Sequence, residues 1–158
     1  MSKTVTLMEA LLKDPAVSVR EHVVESASPH VSNVKQTFEK TYEGLISEIS
    51  KEWGYPIFNS TFDDPENPKA VAPAWSIAPP KDGGESKTLK LSYWKRENII
   101  NYILLRTEVD PAKNNRPLFY EIVIGGKRRV SDGNVKVDAL RQAKPSVWST
   151  IRSWFAWG

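Results

Sequence analysis

Apolar residues recur at helical spacing through the first third of the chain. Val5, Met8, Leu11 and Leu12 predict a short helix over 4–12. Asp14-Pro15 breaks that run, with Asp14 placed to cap a second helix over 16–26 and Pro15 at its first position. Val17, Val23 and Val24 would turn inward there, although Val17, Val19 and Val23 also alternate as strand residues do. The strongest pattern follows. Ser28-Pro29 reads as a helix start, and Val31, Val34, Phe38, Tyr42, Leu45, Ile46, Ile49 and Trp53 form one stripe. Lys35, Glu39, Lys40, Glu43, Glu48 and Lys51 occupy the opposite face. Gly54 supplies a left-handed end and Pro56 prevents continuation. A helix over 29–53 is ~37 Å long at 1.5 Å per residue and would cover one face of a sheet.

The pattern then changes. Six of the eleven prolines (Pro56, Pro65, Pro68, Pro73, Pro79 and Pro80) fall in 55–87, together with Gly83-Gly84. This is a long irregular connection, and connections of that length are usually functional or disordered. Phe58, Phe62, Trp75 and Ile77 argue that it is pinned to the body, with 74–78 as a short edge strand. Three strands come next. In 88–95, Leu89, Leu91 and Tyr93 alternate with Lys90, Ser92 and Trp94. In 99–109, Ile99, Ile103, Leu105 and Val109 share a face, as do Leu118, Tyr120, Ile122 and Ile124 in 118–124. Short polar connections make them an antiparallel meander. Gly125-Gly126 ends the third strand or turns into a fourth through Arg128, Arg129 and Val130. Helices are predicted within 134–157, the last with Val147, Ile151, Trp154 and Phe155 on its apolar stripe.

The expected fold is therefore a single α+β domain over 1–158. Helices occupy 1–54, the connection 55–87, a sheet of three to five strands 88–130 and C-terminal helices 134–157. Its 158 residues suit one domain. There is no cysteine, which excludes disulfides, thiolate catalysis and cysteine zinc sites. No apolar run reaches the ~18 residues of a membrane span, and the N-terminus lacks a secretory apolar region, so the expected location is the cytoplasm. The net charge of +3 is unevenly spread. Residues 1–80 hold 7 Lys/Arg against 11 Asp/Glu, a balance of −4, and 81–158 hold 15 against 8, a balance of +7.

No motif names a reaction. His22 and His30 are the only histidines and no G-x-S-x-G turn accompanies them. Glu121-Ile122-Val123 lacks the lysine of an E-x-K nuclease strand, so Glu121 is expected to pair with a basic residue on a neighbouring strand or to face solvent. Asp63, Asp64 and Glu66 lack calcium-loop spacing and read as turn chemistry. Gly125-Gly126-Lys127-Arg128-Arg129 lacks a phosphate-loop pattern. No metal and no cofactor is expected, nor enzyme activity.

Six tryptophans are the compositional oddity. Tyr93-Trp94 sends aromatics to opposite faces of the sheet, so a face not covered by the long helix would display one of them. The expected function is a non-enzymatic protein-binding module, of the kind represented by bacterial immunity proteins, adaptors or phage accessory proteins. Its candidate contacts are Trp75, Trp94, Arg96, Arg106 and Trp154. The alternative is a nucleic-acid binder that meets phosphates with Lys90, Lys95, Arg96, Lys127, Arg128 and Arg129. Another protein is the first expected partner and nucleic acid the second, with no integral membrane association.

Overall fold

The structure, a computed structural model, describes residues 1–62, 66 and 69–129. The predicted C-terminal helices and Trp154, with Asp63 and Asp64, lie outside the described residues. The order is α1 (Lys3–Ala10), β1 (Val19–Ala27), α2 (Val34–Trp53), β2 (Phe58–Thr61), β3 (Glu85–Arg96), β4 (Ile99–Asp110) and β5 (Arg116–Arg128). The strands form one antiparallel sheet in the order β1-β5-β4-β3-β2. The chain lays down one edge, crosses by α2 to the other, and returns by a meander that ends beside β1. The α+β class and the antiparallel meander stand as expected.

Four local expectations are corrected. The helix expected over 16–26 is β1. Asp14 does not cap a helix but closes a turn, accepting from Ala16 N at 2.9 Å through its side chain and from Val17 N through its carbonyl. The chain leaves that turn extended, and β-branched Val19, Val23 and Val24 favour the strand. The long helix begins at Val34, not at 29. Ser28 spends its side chain and carbonyl on His30 N and Val31 N, a local turn that competes with helix, and Asn33 enters α2 at φ 56°. Residues 74–76 form a 3-10 turn, not an edge strand, held by Ser76 Oγ donating to Pro73 O. Gly125 and Gly126 end nothing: β5 runs through them to Arg128, and no fourth meander strand follows among the described residues.

The sheet has two covered faces. On the first, α1 and α2 bury Val5, Met8, Phe38, Tyr42 and Ile49 against Leu89, Trp94, Ile103, Leu105, Ile122 and Ile124. Tyr42 Oη lies 2.7 Å from Ser92 Oγ, which donates to Asn59 Oδ1, so the buried hydroxyls are partnered. Gly54 ends α2 at φ 77° as predicted, and its carbonyl accepts from Trp94 Nε1 at 2.8 Å. On the second face, Leu91, Tyr93, Ile100, Tyr102, Leu104 and Val123 form a separate apolar layer. The proline-rich connection covers it: Phe58 stacks on Tyr93 at 5.0 Å between centroids, and Trp75 meets Tyr102 edge-on at the same distance. A β-bulge between Thr88 and Lys90 moves Leu89 to the helix face, away from Leu91 and Tyr93 with which alternation had grouped it.

Candidate functional site

Register places a set of charged groups on the second face. Glu21 of β1, Gly125 of β5 and Tyr102 of β4 lie opposite one another in one row, and Glu121 lies opposite Arg106 in another. Tyr102 Oη donates to Glu21 Oε1 at 2.8 Å. Arg106 bridges two carboxylates, donating from Nη1 to Glu21 Oε2 and from Nε to Glu121 Oε2, both at 3.1 Å. Lys81 closes the other side of Glu121 at 2.6 Å. The expectation that Glu121 pairs with a cation on the neighbouring strand is met by Arg106. Burial pushes the Tyr102 hydroxyl far above its ordinary range, and the Glu21 carboxylate adds to the shift.

Two further groups border this set. Glu108 accepts from the backbone N–H groups of Lys81, Asp82 and Gly84 at 2.6–3.0 Å. Burial alone would raise its pKa, and those three donors with the Lys81 charge reverse that and hold it below the usual carboxylate range. The network thereby clamps the Lys81–Gly84 tip onto β4. Lys127 is buried on the same face, with Nζ 5.2 Å from the centre of the Trp75 ring. Desolvation lowers its pKa to about 7, against an opposing pull from Glu21.

The lysine shift carries a prediction. The folded-state pKa lies below the unfolded value of ~10.4. Between pH ~7 and ~10 the unfolded chain therefore binds more protons, and stability rises with pH, at up to ~1.4 kcal/mol per pH unit. Urea unfolding at pH 6, 7.5 and 9 is expected to show this rise. Lys127→Met is expected to flatten it and to be the more stable protein at pH 6. A wild-type profile that is already flat between pH 7.5 and 9 would show that the folded state keeps the proton.

The sequence-predicted contact residues are not gathered. Trp94 is buried under α2, beside Trp53 at 6.2 Å, and Tyr93 is buried under Phe58 and Trp75 on the other face, so neither aromatic is displayed. Arg106 is held inside the charged network. Trp75 is half-buried and roofs the second face. Arg96 remains partly exposed, donating to Glu9 at 3.1 Å and lying 4.3 Å from the Trp53 ring centre. The basic set expected to meet phosphates is also dispersed. Lys90 reaches Glu43 and Thr61 near the β2 edge, and Lys95 is exposed on β3. Lys127 is buried on one face, whereas Arg128 donates to the carbonyls of Leu12, Asp14 and Val17 and ties down the α1–β1 link. Arg129 N bonds Asn98 O beside the β3–β4 turn.

His22 and His30 are exposed, on β1 and in the turn before α2. Among the described residues no cluster of three or more His, Asp or Glu could hold a metal. A surface groove of about 690 Å³ along α2 is lined by Gln36, Lys40, Glu43 and Lys90, with Lys90 Nζ 3.5 Å from Glu43 Oε1. Among the described residues no helix is long and apolar enough to cross a membrane.

Among the described residues, no strand pairs with the outer side of β1, the longer of the two edge strands. All of β1 except Ala27 is exposed, including Val19, Val23 and Val24. Ser18 O accepts from Arg128 N, which sets the alternation of the ladder. Arg20 and His22 bond toward β5, while the N–H and C=O groups of Val19, Glu21 and Val23 point outward. The sequence reading missed this edge because it read the segment as helix; the alternation of its valines was the available signal. Comparison with protein-family models, with curated proteins and with solved structures finds no match.

Proposed function

We propose that the chain is a non-enzymatic protein-binding module that accepts an extended strand of its partner along β1. The observation that carries this reading is the nine-residue edge strand, exposed along its length, whose outward backbone groups meet no partner strand among the described residues, with three exposed valines. Main-chain hydrogen bonds supply affinity in strand addition, and alternate side chains supply selectivity. The part-buried tie from Glu21 to Arg106 and Tyr102 supports it, because it fixes the edge to the sheet and pre-organises the template. Among the described residues, the basic set of the nucleic-acid alternative is dispersed over several faces.

The test is capture of the tagged protein from its native lysate, with nuclease, alongside Val23→Pro. The Val23 N–H points away from β5, so proline there removes an outward donor and no bond of the β1–β5 ladder. The expected result is one stoichiometric protein that survives nuclease and is lost with Val23→Pro. Recovery of nucleic acid alone, or of a protein retained equally by both forms, would overturn the reading.

A further inference from the structure

We infer that the strand accepted by β1 is β1 of a second copy, paired antiparallel about a two-fold axis at His22. This rests on the reading of β1 as a binding edge and names its occupant.

The argument is one of register. The β1–β5 ladder shifts between Val23 and Glu25, which leaves Val24 as an extra residue outside the alternation. Arg20, His22 and Glu25 therefore lie on the helix-covered face, and Val19, Glu21, Val23 and Ser26 on the other. Without the bulge, Arg20 and Glu25 would lie on opposite faces. With it, they sit the same distance on either side of His22 in the ladder. An axis through His22 and normal to the sheet places Arg20 opposite Glu25 of the second copy, and Glu25 opposite its Arg20. The same operation sets Glu21 against Val23 and Val19 against Ser26, and these are the residues whose backbone groups point outward. One two-fold thus satisfies the edge and forms two matched charge pairs, as an isologous interface requires.

The charges are available for this use. Among the described residues neither Arg20 nor Glu25 has an ion-pair partner. Moving the axis to Glu21 sets Glu21 against itself and Arg20 against His22, a like-charged centre that disfavours the slipped register. The bulge and the charges also blunt the edge against indiscriminate pairing. Of the registers centred on His22 and on Glu21, only the first opposes unlike charges.

The experiment is sedimentation equilibrium on the full chain and on Arg20→Glu, Glu25→Arg and the double reversal, with circular dichroism to show that each is folded. By symmetry each single reversal converts two attractive pairs into two repulsive ones. The expected result is a wild-type dimer, about tenfold or more weakening in each single variant, and recovery to within about threefold in the double variant. A wild type that stays monomeric at about 100 μM, a dimer indifferent to the single reversals, or weakening without recovery would each overturn the inference. A monomeric wild type whose captured partner is still lost with Val23→Pro sinks the second copy and leaves the binding edge standing; a partner retained by Val23→Pro sinks both.

Discussion

Gly125→Ala is expected to destabilise the protein by about 3 kcal/mol or more, at the upper end for adding a methylene to a packed site. The reason is the row Tyr102–Gly125–Glu21 across β4, β5 and β1. Tyr102 lies over the glycine so that its hydroxyl can reach the carboxylate on the far strand. A Cβ built on Gly125 would stand 2.5 Å from Tyr102 Cε2 and closer still to Cζ. Neither neighbour can yield cheaply, because the ring is held on its other side by Trp75 and Gly125 is the middle of three paired strands. In a Tyr102→Ala background the same substitution should cost close to nothing, since alanine is the better strand residue once the space is free. Chemical denaturation of the four proteins of this cycle reads the coupling directly. An equal loss in both backgrounds would place the strain in the backbone and remove Tyr102 from the explanation.

This row also shows where the sequence was opaque. Gly125-Gly126 between a strand and a basic run carries the local signature of a turn. Its actual reason is a ring from a residue 23 positions earlier in the chain, and on the other face Leu12, whose side chain lies 3.1 Å from where a Gly126 Cβ would be. Tertiary contacts of that kind leave no local trace. The same holds for Lys127: basic and followed by two arginines, it reads as a surface charge, yet register alone turns it inward. What was legible was what periodicity governs. The apolar stripe stands from Val34 to Trp53, without Val31, and so do the alternation of β4, that of Tyr120, Ile122 and Ile124 in β5, and the Gly54 stop, each with a local physical cause. The strand at 19–27 was misread because short polar segments with valines support either period, and the deciding interaction is pairing with β5, about a hundred residues away. The Arg106–Glu121 pair was anticipated only in outline, from the oddity of a carboxylate in an apolar run.

Arg106 is the residue whose removal should cost most among the charged groups. Arg106→Met keeps the length and the apolar contacts of the stem but removes the guanidinium that two carboxylates share. Among the described residues Glu121 is then left with Lys81 beside it and its side chain 4% exposed, whereas Glu21, 30% exposed, can recruit water. Breaking a buried pair from one side typically costs about 3–5 kcal/mol, because the surviving charge stays desolvated. A loss of about 3 kcal/mol is expected, read as a fall in the urea midpoint without a change in slope. The second substitution discriminates the cause. Arg106→Met with Glu121→Leu removes the stranded charge together with its partner, and apolar replacements of buried ion pairs are often neutral or better. Most of the lost stability should therefore return. Lys81→Met should cost under about 1 kcal/mol, because half of that side chain is already in water. If the double variant is no more stable than Arg106→Met alone, the arginine acts through its packing against the sheet and the charge pairing contributes little. If Lys81→Met proves the costlier change, the anchor of the network lies at the Lys81–Gly84 tip, and Glu108, which accepts from three backbone donors there, becomes the residue to substitute next.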